Sequence, residues 1–148
     1  MSGGHSHWNY PVMSIHDQRD ILVEDRWFSG APNSIRQTYQ KICKLHPDHK
    51  LMRLIINGQT QDMNSGIHLD STHVNVCTYI IYLNPERKPK WGGATRFYTD
   101  VTGQQLIREQ LPEPGLMVGY SGATWHQGCG PTVPNVLRIT LAIQIITE

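Results

Sequence analysis

The C-terminal stretch VLRITLAIQII, residues 136–146, alternates between two kinds of side chain. Leu137, Ile139, Leu141, Ile143 and Ile145 take one set of positions; Arg138, Thr140, Ala142 and Gln144 take the other. Successive side chains on a strand point to opposite faces, so this pattern builds a strand with one greasy face and one smaller, more polar face. The greasy face must cover a core. The polar face meets solvent or lines a pocket. Two features favour the pocket. Thr140 and Ala142 leave room, and Arg138 has no acidic neighbour in sequence.

Shorter runs with the same character precede it: LMRLIIN (51–57), IHLD (67–70), VNVCTYIIYL (74–83), ATRFYT (94–99) and LMVGYS (116–121). Between runs lie GQTQDMNSG, expected to be a polar loop, and the turn signals NPERKPKWGG, DVTG, PEPG and GCGPTVPN. One segment has helical spacing instead. In NSIRQTYQKICKLH (33–46), Ile35, Tyr39 and Ile42, joined by Cys43, share a face; Asn33 or Ser34 caps it and Pro47 stops it. One helix followed by many strands predicts a mostly β, antiparallel barrel or sandwich with N-terminal helical cover. The 148 residues suit a single domain over 1–148. Residues 1–10, with the HSH of positions 5–7, are expected to be a mobile terminus.

Composition excludes several classes. A formal net charge of +1 leaves no electrostatic footprint for nucleic acid or a membrane surface. With 39% apolar and 17% charged residues, the chain has an ordinary globular balance. Cys43, Cys77 and Cys129 are odd in number and form no CxxC, which argues against a disulfide framework or a zinc knuckle. Reduced thiols and the lack of a long apolar segment lead to the expectation of a cytoplasmic protein that does not span a membrane.

GIHLDST, residues 66–72, sets a charged pair at the head of an interior-bound segment. His68 and Asp70, two apart, lie on the same side of an extended chain, where both can reach one metal ion. The candidates for a third ligand are His46, His49, His73 and His126. His126 stands out because SGATWHQG follows a strand and precedes the last one, among glycines that let the backbone bend. Two histidines and a carboxylate on one face of a metal form the pattern of non-haem iron(II) oxygenases. Taken alone, the Asp-Ser-Thr run reads equally well as a turn or helix cap.

The order of HLD (68–70), YIIYLN (79–84), WGGATRFY (91–98), PEPGLMVGYSGATWH (112–126) and VLRITLAI (136–143) resembles the 2-oxoglutarate and iron(II)-dependent oxygenase superfamily, in its prolyl-hydroxylase-like branch. The resemblance implies a double-stranded β-helix, a squashed barrel of two sheets with a metal at its open end. It implies His68, Asp70 and His126 as iron(II) ligands. It implies Arg138 as the partner of the distal carboxylate of 2-oxoglutarate, with Tyr82 on that same carboxylate. Thr78, Ile80 and Thr140 share strand faces with these residues and are expected to line the cosubstrate pocket. The implied reaction is hydroxylation of an unactivated C–H bond using dioxygen, with succinate and carbon dioxide as co-products and ascorbate as a candidate reductant. Trp91, Arg96, Tyr98 and Trp125 are candidates for the barrel mouth.

The chain also departs from its resemblances. Collagen-type prolyl hydroxylases usually carry lysine where Arg138 stands, and CGPTVPN lengthens the gap from His126 to Arg138. The nucleic-acid-repairing branch has a second arginine where this chain has Gln144. Halogenase relatives replace the aspartate that is present here as Asp70. The substrate expected by analogy is a prolyl residue of a peptide or protein, with small molecules open and no nucleic acid. A barrel holding a metal or small acid without catalysis, and a cupin-like enzyme using His46 or His73 as a ligand, are the competing readings.

Overall fold

The computed structural model describes residues 8–13 and 33–147. In chain order the elements are strand β1 (Trp8–Met13), helix α1 (Asn33–Leu45), β2 (Lys50–Gln59), β3 (Val76–Tyr82), a 3-10 turn (Pro89–Trp91), β4 (Thr95–Tyr98), β5 (Leu106–Gln110), β6 (Met117–Ser121), β7 (Trp125–Gly128) and β8 (Arg138–Ile146). They form a five-stranded sheet in the order β1-β2-β8-β3-β6 and a three-stranded sheet in the order β5-β4-β7. Every pairing is antiparallel.

β8 sits inside the larger sheet, between β2 and β3. Its greasy face meets the core as predicted. Leu141, Ile143 and Ile145 pack with Leu51, Leu54 and Ile81, and with Tyr39 and Ile42 of α1. Leu137 of the same predicted face precedes the strand and is exposed. Burying each large aliphatic side chain in this layer contributes about 1.5–3 kcal/mol. The helix therefore covers the outer face of the sheet and leaves the other face of β8 to the interior between the sheets. The end of the helix is tied down by two histidines. His46 Nε2 lies 2.5 Å from the Tyr79 hydroxyl, and His49 Nε2 lies 2.6 Å from that of Tyr39.

The differences from expectation have physical causes. β2 runs through Gly58 to Gln59, into the expected loop, because β8 continues to pair with it as far as Gln59↔Arg138. β5 escapes sequence reading because residues 106–109 are all exposed, so no apolar alternation marks them. β7 has only four residues. IHLD shrinks to a single bridge between His68 and His126. Of the terminus expected to be mobile, residues 8–10 belong to β1 and residues 1–7 lie outside the described residues, as does the HSH motif. Among the described residues no helix is long and apolar enough to cross a membrane, and Cys43, Cys77 and Cys129 form no disulfide.

Candidate metal centre

His68 and His126 face each other across reciprocal backbone hydrogen bonds, N to O 2.9 Å one way and 3.0 Å the other. The bridge sets their rings with centroids 4.4 Å apart. Each imidazole donates through Nδ1 to a carbonyl two residues back, Gly66 for His68 and Thr124 for His126, both at 2.7 Å. A carbonyl only accepts, so in the neutral ring Nδ1 carries the proton and Nε2 keeps its lone pair. Both Nε2 atoms lie 3.4 Å from Asp70 Oδ1. Two donors at right angles around a first-row metal stand about 3 Å apart, so this arrangement is close to one that can hold an ion. The ligand atoms of the three residues all fall within 4.8 Å of one another.

Asp70 is held from two sides. Its amide donates to Gly122 O at 2.9 Å, and its Oδ2 accepts from Thr78 Oγ1 at 2.7 Å. Burial alone would push the carboxyl pKa up. In the ion-free site, donation through Nε2 by the protonated forms of His126 and His68, together with the Thr78 hydroxyl, outweighs it and keeps the group ionised, far below the ordinary carboxylate range. The hydrogen bond to Asp70 is also the leading cause that raises the His68 pKa. Exposure is uneven: 45% for the His68 side chain, 11% for Asp70 and 6% for His126. Approach is therefore from the His68 side.

The triad borders a cavity of about 320 Å³ lined from both sheets. The polar face of β8 forms its floor: Arg138, Thr140, Ala142 and Gln144 all line it, which is the pocket that the alternation suggested. Thr78 and Ile80 of β3 line it as well. Arg138, at the far end, is 5% exposed. Its Nε donates to Gly93 O at 2.7 Å, Nη1 to Gln59 Oε1 at 2.6 Å and Nη2 to Thr95 Oγ1 at 2.9 Å. Burial lowers its pKa, opposed by the Tyr82, Cys129 and Tyr120 side chains. Among the described residues no carboxylate lies within ion-pair reach of it. A buried guanidinium with polar partners but no counter-ion is a receptor for an anion.

Tyr82 stands one step behind. Its hydroxyl is 2.8 Å from Thr95 Oγ1, its ring lies 5.6 Å from the Arg138 guanidinium, and it is not among the cavity-lining residues. Gly92 and Gly93 have φ of 65° and 79°, and a Cβ at Gly93 would press to 3.3 Å from Arg138 Cδ. Their role is the close backbone approach that gives Arg138 a carbonyl.

Other candidates are engaged elsewhere. Arg96 pairs with Glu109, and the Tyr98 hydroxyl donates to Gln127. Lys88 lies over the Trp91 ring, Arg87 pairs with Glu113, and His73 is exposed. His46 and His49 bond tyrosines away from the triad, which removes the support for a cupin-like ligand set. Sequence reasoning missed Gln59 and Thr95, the two side chains that hold Arg138. The signal for Gln59 was its parity with Ile55 and Asn57, hidden because Gly58 reads as a turn.

Residues 52–144 match the family model described as the 2OG-Fe(II) oxygenase superfamily. No curated protein sequence matches the chain. Several solved structures share the fold. One is a Pseudomonas putida prolyl-4-hydroxylase, 15% identical, with 98% of this chain and 94% of that one covered at a TM-score of 0.62. Another is the viral collagen prolyl hydroxylase of Paramecium Bursaria Chlorella virus-1, 13% identical, covering 98% and 97% at 0.58. A third is a 2OG-Fe(II) oxygenase family oxidoreductase from Burkholderia pseudomallei, 15% identical, covering 97% and 70% at 0.61. At these identities the likeness establishes the architecture, the double-stranded β-helix.

Proposed function

Because this chain belongs to the 2OG-Fe(II) oxygenase superfamily, we propose that it is a hydroxylase of an unactivated C–H bond, with a prolyl residue of a peptide or protein as its substrate class. One observation carries the reading. A single cavity has a two-histidine, one-carboxylate cluster at one end and, at the other, a buried arginine with no counter-ion among the described residues. The prolyl assignment draws on the names of two structural relatives, both prolyl hydroxylases.

In this reading His68 and His126 hold iron(II) through Nε2, and Asp70 through its carboxylate. The donor set suits the ion: imidazole and carboxylate together make a site of intermediate hardness. Bound iron(II) and 2-oxoglutarate supply the oxidising chemistry, in which decarboxylation to succinate drives hydroxylation of the substrate by dioxygen. The protein's own residues bind and orient. The Nδ1 bonds to Gly66 O and Thr124 O fix both rings, and Thr78 holds Oδ2 of Asp70. Arg138 takes the distal carboxylate, with Gln59, Thr95 and Gly93 O keeping its fork from rotating. Tyr82 acts on that carboxylate through Thr95, and Thr140 and Ile80 wall the pocket. No side chain serves as a general base.

The test is succinate formation from 2-oxoglutarate by protein loaded with iron(II) under anaerobic conditions, followed by admission of oxygen. Slow turnover that vanishes in His68→Ala is expected. If the wild type neither turns over 2-oxoglutarate nor binds it at equilibrium, the function is not this one.

A further inference from the structure

The cavity floor has two charged ends. On β2, Arg53, Ile55 and Gln59 line it, and the ladder pairs them with Gln144, Ala142 and Arg138 of β8. Arg53 therefore stands six residues from the Arg138 rung, about 20 Å along the strand. On its other side Gln144 pairs with Thr78 of β3, the residue whose hydroxyl holds Asp70. The Arg53 rung is the rung of the metal triad.

Local structure is arranged to keep Arg53 there. Strict alternation would give Leu51 the same face as Arg53. Instead the register shifts between Leu51 and Arg53, so that the pairs run Leu51↔Ile145 and then Arg53↔Gln144. This bulge sends Leu51 into the core, where it is fully buried, and leaves Arg53 as the last cavity-facing side chain of the strand. Bulges beside active sites re-aim side chains in this way.

Both polar groups on the rung lack partners. Among the described residues the Arg53 guanidinium makes no hydrogen bond or ion pair; Asp70 acts on it only through space. Gln144 is 7% exposed, and its side-chain amide makes no hydrogen bond among the described residues. A buried side-chain amide without a protein partner is open to one from a ligand or a water. The charges agree. Iron(II), Asp70, Arg138 and dianionic 2-oxoglutarate balance to zero, which leaves Arg53 as the uncompensated charge of the cavity wall. Beside it, Gln144 offers an amide N–H. A guanidinium and an amide N–H side by side match a carboxylate.

We propose that Arg53 and Gln144 form a subsite for a carboxylate on the substrate, so that the C–H bond to be hydroxylated belongs to a molecule carrying an acidic group near the reacting carbon. This rests on the oxygenase reading of the triad. The carboxylate is that of a small free acid or of a peptide's acidic side chain.

The test is equilibrium binding to protein loaded with zinc(II) and 2-oxoglutarate, using two matched pairs of probes. L-proline against L-prolinamide reports a small acid; acetyl-Pro-Glu-amide against acetyl-Pro-Gln-amide reports an acidic peptide. Expected is a preference of about tenfold or more for the acid in one pair. That preference disappears in Arg53→Gln and partly returns in Arg53→Lys, while the Kd for 2-oxoglutarate is unchanged. The pair that discriminates names the source. No acid preference in either pair, through equal binding or none, overturns the proposal. So does an Arg53→Gln variant whose main defect is weaker 2-oxoglutarate binding, since the pair would then serve the cosubstrate. If the wild type shows no turnover and no 2-oxoglutarate binding, it is the oxygenase reading that fails, and the acid preference is then scored on the zinc protein alone.

Discussion

The two ends of the cavity differ in how far the protein has already satisfied them. At the Arg138 end, three N–H groups of one guanidinium are bound by a carbonyl, an amide and a hydroxyl, and the side chain is almost wholly buried. At the metal end, His68 is half open to solvent, Arg53 is exposed and Gln144 has no partner among the described residues. A closed end whose guanidinium is held in place by three bonds, with N–H groups of the fork still to offer, suits one ligand of fixed shape, because its geometry is set before the ligand arrives. An open, unsatisfied end suits a ligand that completes it. On the proposal above, the first end holds the cosubstrate and the second a carboxylate of the substrate.

Three changes break this contrast, and they differ in size. Asp70→Ala removes the oxygen that both Nε2 atoms face, and iron(II) retained after equilibrium dialysis falls by more than the roughly 10–100-fold seen for losing an outer-shell partner. Arg138→Met comes next. It removes a charge but keeps volume, so the Kd for 2-oxoglutarate rises by about 10–100-fold while iron retention holds. Thermal protection by 2-oxoglutarate shrinks in step, because stabilisation follows ligand concentration over Kd. Smallest is Tyr82→Phe, which deletes one buried hydrogen bond to Thr95. A loss of about 1 kcal/mol in stability and a change of a few-fold in that Kd are expected, read by denaturant melts and titration. Should Arg138→Met lose iron as well, the two ends are one coupled unit and the division between them is false.

Much of this arrangement was legible in the chain. β8 announces both of its faces because core and cavity demand opposite residue types from one strand. The spacing of His68 and Asp70 by itself left a turn or cap equally open; their grouping with His126, and the role expected of Arg138, came from the order of the motifs, while the small-residue face of β8 marked Arg138 as facing a pocket. What escaped reading depends on tertiary partners. Gln59 becomes special only where β2 meets Arg138, and Arg53 only because a bulge keeps it on the cavity face. β5 and β7 are too exposed or too short to carry a periodic signature.

The segment from His68 to Ser71 carries one more consequence. His68 is bonded to β7, in the smaller sheet; the amides of Asp70 and Ser71 bond Gly122 O, and Gly122 N bonds Val76 O at the start of β3, in the larger one. The segment is the seam between the sheets, and the triad sits on it like a rivet. An ion gripped there joins side chains distant in sequence, so it shortens the loops that the unfolded chain must close. Metal occupancy is thereby written into the mechanics of the barrel. In the stripped protein the amides of His68, Asp70 and His126 exchange with solvent faster than in the metal-loaded protein, and before those of β8.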